Sequence, residues 1–111
     1  MNPDDAARAE EDSHPDFDPP EGALVRAIKI INRKGLHARA TAKFVQCVDR
    51  FEAAVTVGRC GETVGGTSIM GILTLGAGPG MTITVTAAGP QAAEVLDAIE
   101  ALVGDRFGED E

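Results

Sequence analysis

Leu24-Val25-Arg26-Ala27-Ile28-Lys29-Ile30-Ile31, continuing as Asn32-Arg33-Lys34-Gly35-Leu36-His37-Ala38-Arg39, is the stretch that decides the fold. Its first eight residues are β-branched and partly alternating, which predicts a strand. Asn32-Arg33-Lys34-Gly35 has the composition of a turn. From His37 onward the apolar spacing changes: Thr41, Phe44, Val45 and Val48 fall at i, i+3, i+4 and i+7, one face of a helix. Lys43, Gln46, Asp49 and Arg50 then belong to the opposite side. A helix begins with backbone N–H groups that have no partner, and with the positive end of its dipole. An anion placed there is stabilised without a dedicated pocket. The ring nitrogen of His37 is a nucleophile that can carry a phosphoryl group covalently, and Arg39 is close enough to offer guanidinium donors to the same oxyanion. A histidine here can equally cap the helix or line the surface. Spacing alone leaves both readings open.

Working outward, Cys47 borders that helix and reads as packing. Val55 and Val57 alternate with Thr56 as a short strand, and Gly58-Arg59-Cys60-Gly61 is punctuated like a hairpin turn, which puts Cys60 at an exposed tip. Residues 62–66 form the return strand, with Val64 inward. Thr67-Ser68-Ile69-Met70-Gly71-Ile72-Leu73-Thr74-Leu75 has the length of a short helix capped by Thr67 or Ser68 and ended by Gly76-Ala77-Gly78-Pro79-Gly80. Thr82, Thr84 and Thr86 alternate with Ile83, Val85 and Ala87, the cleanest strand pattern of the chain. Gly89-Pro90 opens a last helix with Pro90 in its first turn. That helix carries a stripe of Ala92, Val95, Leu96, Ile99, Leu102 and Val103, and turns Glu94, Asp97 and Glu100 to water. The order β-α-β-β-α-β-α with short loops implies an α+β domain: a four-stranded antiparallel sheet with three helices on one face.

The chain has 111 residues, no tryptophan and no tyrosine, so one modest core must be built from Val, Ile, Leu, Ala and four Phe. Charge is unevenly spread. Residues 1–22 hold eight acids and one base, a net of −7 within a formal total of −8, so residues 23–111 are nearly neutral. Residues 1–22, acidic and proline-containing, read as a disordered extension before a folded domain at 23–111. Phe17 is its single large apolar side chain, and His14 lies there without ligand partners in sequence. A strongly negative chain is repelled by nucleic acid and by anionic membranes, and no apolar run reaches the roughly 20 residues of a membrane span. The acidic start does not resemble a secretory signal. Cys47 and Cys60, far apart and without CxxC spacing, read as free thiols of a reducing cytosol. There is no phosphate-cradling glycine loop and no His/Cys cluster with metal spacing, so neither metal nor cofactor is expected.

Ser68 is a second candidate site. A serine N-cap is ordinarily structural, yet a phosphate there would be favoured by the helix dipole. Ile69 and Met70 exceed what so short a helix must bury, which leaves an apolar contact for a partner.

Three segments, Gly35-Leu36-His37-Ala38-Arg39, Ala42-Lys43-Phe44-Val45 and Ser68-Ile69-Met70-Gly71-Ile72-Leu73-Thr74-Leu75, resemble the HPr family over residues 24–107. These are the histidine-containing phosphocarriers of the bacterial phosphoenolpyruvate-dependent phosphotransferase system. The resemblance implies an open-faced β-sandwich of the same element order. It implies that His37 accepts a phosphoryl group at Nδ1 from phosphorylated enzyme I and passes it to an enzyme IIA protein, with Arg39 stabilising the charge. Ser68 matches the family's regulatory serine, the target of HPr kinase/phosphorylase, and Ile69 and Met70 match its partner-binding patch. The implied protein is a cytoplasmic, monomeric transfer intermediate rather than a stand-alone enzyme. An alternative within the same resemblance is a regulatory binding module, serine-phosphorylated or of the nitrogen-related branch, acting by docking. The chain departs from the family pattern at Ala40, where a proline is usual, and in its acidic residues 1–22. Alanine leaves φ less fixed in the first turn and adds one free N–H.

Overall fold

The computed structural model describes residues 22–110. The acidic stretch, with His14 and Phe17, lies outside the described residues. The elements are β1 Leu24–Lys29, α1 Ala38–Asp49, β2 Ala54–Arg59, β3 Glu62–Gly65, α2 Ile69–Leu75, β4 Thr82–Ala88 and α3 Ala92–Gly104, followed by a 3-10 turn at Arg106–Gly108. The four strands pair antiparallel in the order β1-β4-β2-β3.

The two-residue period of the strands sorts their side chains. Ile28, Val55, Val57, Ile83, Val85 and Ala87 are buried in the core that the helices cover. Val25, Thr56, Thr63, Thr84 and Thr86 alternate with them and line the opposite, uncovered face. Phe44 and Val48 of α1, Ile72 of α2, and Val95, Leu96 and Ile99 of α3 complete the core. Each large side chain so buried contributes about 1.5–3 kcal/mol. The α+β architecture expected from the hydrophobic pattern is therefore the one the chain adopts. No helix among the described residues is long and apolar enough to cross a membrane.

Several details differ from the reading of the sequence. Gly58 and Arg59 belong to β2, paired with Thr63 and Glu62, so the hairpin turn is Cys60-Gly61 alone, and β3 ends at Gly65. β1 ends at Lys29 rather than running on to Ile31. Ile30 still exchanges hydrogen bonds with the loop before β4 (Ile30 N–H to the Met81 carbonyl, 2.8 Å; Gly80 N–H to the Ile30 carbonyl, 2.7 Å), while Ile31 turns outward. Pro90 lies outside the last helix, whose N-cap is Gln91. Gln91 is clamped to the loop after α1: its N–H donates to the Glu52 carbonyl at 3.0 Å, and its Oε1 accepts from the Glu52 N–H at 2.7 Å. That clamp fixes the helix start two residues later than proline alone suggests. Finally, Asp97 and Glu100 do not simply face water. Both accept from Arg26 Nη1, at 2.7 and 2.8 Å, tying α3 to β1.

Cys47 is buried and Cys60 exposed, and both are free. Burial pushes the Cys47 thiol up, so it stays protonated and inert as core packing. Cys60 takes φ 54° beside Gly61 in the β2–β3 turn.

Candidate functional site

The turn that presents His37 is built by close backbone approach. Gly35 has φ +69°, and a Cβ there would lie 2.7 Å from the Ala77 carbonyl oxygen and 2.8 Å from Gly78 Cα. Only glycine fits, and the Leu36 N–H then donates to the Ala77 carbonyl at 2.9 Å. Asn32, fully buried, closes the turn from inside by donating from Nδ2 to the Gly35 carbonyl at 2.8 Å. The chain thus enters α1 in a braced conformation.

His37 is the N-cap residue of α1, in extended geometry (φ −80°, ψ −177°). Its carbonyl accepts the first helical bond, from the Thr41 N–H at 2.8 Å. The N–H groups of Ala38, Arg39 and Ala40 therefore precede the first intrahelical donor. The imidazole makes no capping bond of its own, so the bland reading of His37 as a side-chain cap does not describe it.

What the ring does instead could not be read from sequence. Its Nε2 lies 2.5 Å from Glu109 Oε2, across 72 residues of chain. The other oxygen of that carboxylate accepts from Asn32 Nδ2 at 3.0 Å. Glu109 is carried there by an anchor: Phe107 is fully buried, and Lys43 Nζ donates to its carbonyl at 2.6 Å. Arg106 and Phe107 both take φ 55°. Such left-handed turns cost about 1–2 kcal/mol per residue, which burial of the phenyl ring offsets. The histidine's engaged nitrogen is thus Nε2, and its open one is Nδ1.

His37 and Arg39 line one depression of about 580 Å³ together with Arg33, Lys34, Glu109 and Asp110. Arg39 is exposed, with no hydrogen bond or ion pair among the described residues, and so is available to an incoming anion. Ser68, Ile69 and Met70 do not line this depression. They stand at the start of α2, which packs on α1. Ser68 is the N-cap, its Oγ accepting from the Gly71 N–H at 3.1 Å, while Ile69 and Met70 are 42% and 71% exposed.

A carboxylate with two donors is held in its charged form. The Asn32 amide first, and then the His37 ring, keep the Glu109 carboxyl below its usual range. Its folded-state value is lower than its unfolded one. The contact therefore stabilises the fold above the ordinary glutamate value, about 4.3, and the contribution is lost as pH falls through the lowered value. Urea unfolding of the parent should weaken across that window more steeply than that of Glu109→Gln. Equal acid sensitivity of the two would remove Glu109 from this role.

Comparison with known proteins decides the family. The family model described as "PTS HPr component phosphorylation site" matches residues 24–105. The chain belongs to the HPr family. It is 47% identical over 88 residues to the phosphocarrier protein HPr of Cupriavidus necator, a match covering 79% of this chain and 99% of that one. It is 46% identical over 85 residues to the HPr of Pseudomonas aeruginosa, covering 76% of this chain and 94% of the relative. Among solved structures, HPr-C-His from Thermoanaerobacter tengcongensis aligns with a TM-score of 0.76 and 35% identity, over 79% of this chain and 99% of the other. The phosphocarrier function of the phosphotransferase system, and a phosphohistidine as its working form, follow from that membership. In this HPr-family chain the matched region holds His37, Arg39 and Ser68, whereas Glu109 lies beyond residues 24–105.

Proposed function

We propose that His37 is the carrier residue: it takes a phosphoryl group at Nδ1 from phosphorylated enzyme I and delivers it to an enzyme IIA protein. The observation that carries this reading is the occupation of Nε2 by Glu109, which leaves Nδ1 as the nitrogen facing an incoming phosphorus. The Nδ1 lone pair forms the N–P bond as the donor's own bond to phosphorus breaks and its electron pair returns to the donor. Nε2 keeps its proton throughout, so the phosphorylated ring is cationic and faces the Glu109 carboxylate. Arg39 and the N–H groups at the start of α1 stabilise the phosphoryl oxygens. Ala40 in place of the usual proline adds one N–H to that set. Transfer onward reverses the same bond change against the acceptor. The chain supplies one half of each transfer site, and its partner supplies the other.

The protein works in this reading as a cytoplasmic monomer, with residues 23–111 as the carrier domain and residues 1–22 as an appendage. Ile69 and Met70, exposed beside the site-bearing helix, are the apolar contact for enzyme I and enzyme IIA. Ser68 is the regulatory position for HPr kinase/phosphorylase. Its exposed Oγ stands at a helix start where added negative charge is favoured. Phosphate there would come from ATP and resist acid, whereas phosphate on histidine is acid-labile.

Incubation with phosphoenolpyruvate and enzyme I should add one acid-labile phosphate per chain, read by intact mass before and after acid treatment. A chain that stays unmodified contradicts the carrier assignment, and acid-stable phosphate that appears only with ATP and a kinase favours a docking module acting through Ser68.

A further inference from the structure

Gly76-Ala77-Gly78-Pro79-Gly80 is a permissive stretch of chain, with three glycines in five residues and φ of +65° at Gly76 and +85° at Gly80. The turn that presents His37 nevertheless leans on it. Gly35 packs so closely on Ala77 and Gly78 that no side chain fits between them, and the Leu36 N–H donates to the Ala77 carbonyl. Such a brace works only if the loop is itself held in one conformation.

Two side chains hold it. Arg59 closes β2, and the two-residue period turns it to the same side as Val55 and Val57, at the rim of the core. Its Nη1 donates to the Leu75 carbonyl at 2.8 Å, at the C-terminal end of α2, where a positive charge is favoured. Its Nη2 donates to Met81 Sδ at 3.0 Å, on the other side of the loop. The same sulfur accepts from the Gly78 N–H at 3.3 Å. One planar guanidinium thus pins both ends of the loop, and Met81 ties its middle to them. The contacts run from Arg59 through residues 75–81 to Leu36, and so to His37.

We propose that Arg59 is a positioning residue for His37: by fastening both ends of the loop at residues 76–80, it fixes the backbone from which Gly35 and Leu36 present the imidazole at the start of α1. Arg59 does not line the depression around His37 and acts only through the loop. The consequence for transfer rests on the phosphocarrier reading. The state of the loop is measured without any phosphoryl transfer, so failure of one is distinguishable from failure of the other.

Amide hydrogen exchange in the full chain tests the first step. Arg59→Gln should speed exchange of the Leu36 amide by about tenfold or more, the scale of one lost charge-assisted hydrogen bond. The Gln91 amide, bonded to the Glu52 carbonyl at the opposite end of the sheet, should not follow it. Arg59→Lys, which keeps one charged donor, should recover part of the protection. Met81→Leu, which keeps the volume and removes the sulfur acceptor, should loosen Leu36 in the same direction. Leu36 exchange that is unchanged in Arg59→Gln, or that rises only in step with Gln91, overturns the proposal. The second step is read in a single turnover from phosphorylated enzyme I. Arg59→Gln should lower the maximal transfer rate by about tenfold, as a displaced reacting group does, at an unchanged half-saturating concentration. A raised half-saturating concentration at full maximal rate would make Arg59 a partner contact instead. That result, or unchanged transfer by a chain whose Leu36 amide has loosened, also overturns the proposal.

Discussion

His37→Ala is expected to abolish acceptance of phosphate from phosphoenolpyruvate and enzyme I, whereas His14→Ala leaves it unchanged. The asymmetry is physical. His37 stands at the entrance of a 12-residue helix with Arg39 lining the same depression, so a phosphoryl group on its ring has donors waiting for three oxygens. His14 belongs to a run of acids whose charge opposes an incoming phosphoryl group. Removing the nucleophile leaves no bond to form, so the loss is total rather than graded. Any remaining acid-labile phosphate on the alanine variant would place the carrier elsewhere. Thermal unfolding serves as the control: His37 is only partly buried, and its removal should cost little stability beyond the Glu109 contact.

Phe107→Ala is expected to lower stability by about 3–5 kcal/mol, the usual cost of emptying a buried phenyl site. For a domain of this size that corresponds to a fall in Tm on the order of 15–30 °C. The effect is large because Phe107 is fully buried although it lies past the last regular helix, in a left-handed turn that its ring pins to the core. Loss of the anchor also releases Glu109, since the Lys43 bond to the Phe107 carbonyl and the Asn32–Glu109–His37 chain depend on the same turn. The variant should therefore lose the acid-dependent contribution of Glu109 along with its stability. A Phe107→Ala protein as stable as the parent would show that the C-terminal turn does not belong to the core.

The architecture was legible where a periodic pattern runs long enough to define a face. The change at His37 from β-branched alternation to i, i+3, i+4 spacing marked the strand-to-helix junction, and the threonine alternation at residues 82–86 marked β4. Gly58-Arg59-Cys60-Gly61 marked the hairpin by turn chemistry alone. Contacts between elements distant in sequence were not legible, because no local pattern encodes them. Lys43 reads as a water-facing helical position, yet it reaches the Phe107 carbonyl. Arg26 reads as one polar residue of a strand, yet it joins α3. Glu109 belongs to no motif or periodic pattern of the sequence, yet it fixes which nitrogen of His37 is engaged. One signal did point there: Phe107 is a bulky apolar side chain between Gly104 and Gly108, too hydrophobic for a frayed end. Asn32 likewise carried the ordinary signature of a turn, and its second role, orienting the carboxylate, appears only when the C-terminus is brought to it.

The account depends on the ring of His37 presenting Nδ1 while Nε2 is held by a carboxylate. Its most direct test is a long-range proton–nitrogen correlation spectrum of the ¹⁵N-labelled protein after phosphorylation by phosphoenolpyruvate and enzyme I. The expected result is phosphorus coupling and displacement of the Nδ1 resonance of His37, with Nε2 still protonated. Phosphorus bound at Nε2, or at the ring of His14, would contradict it.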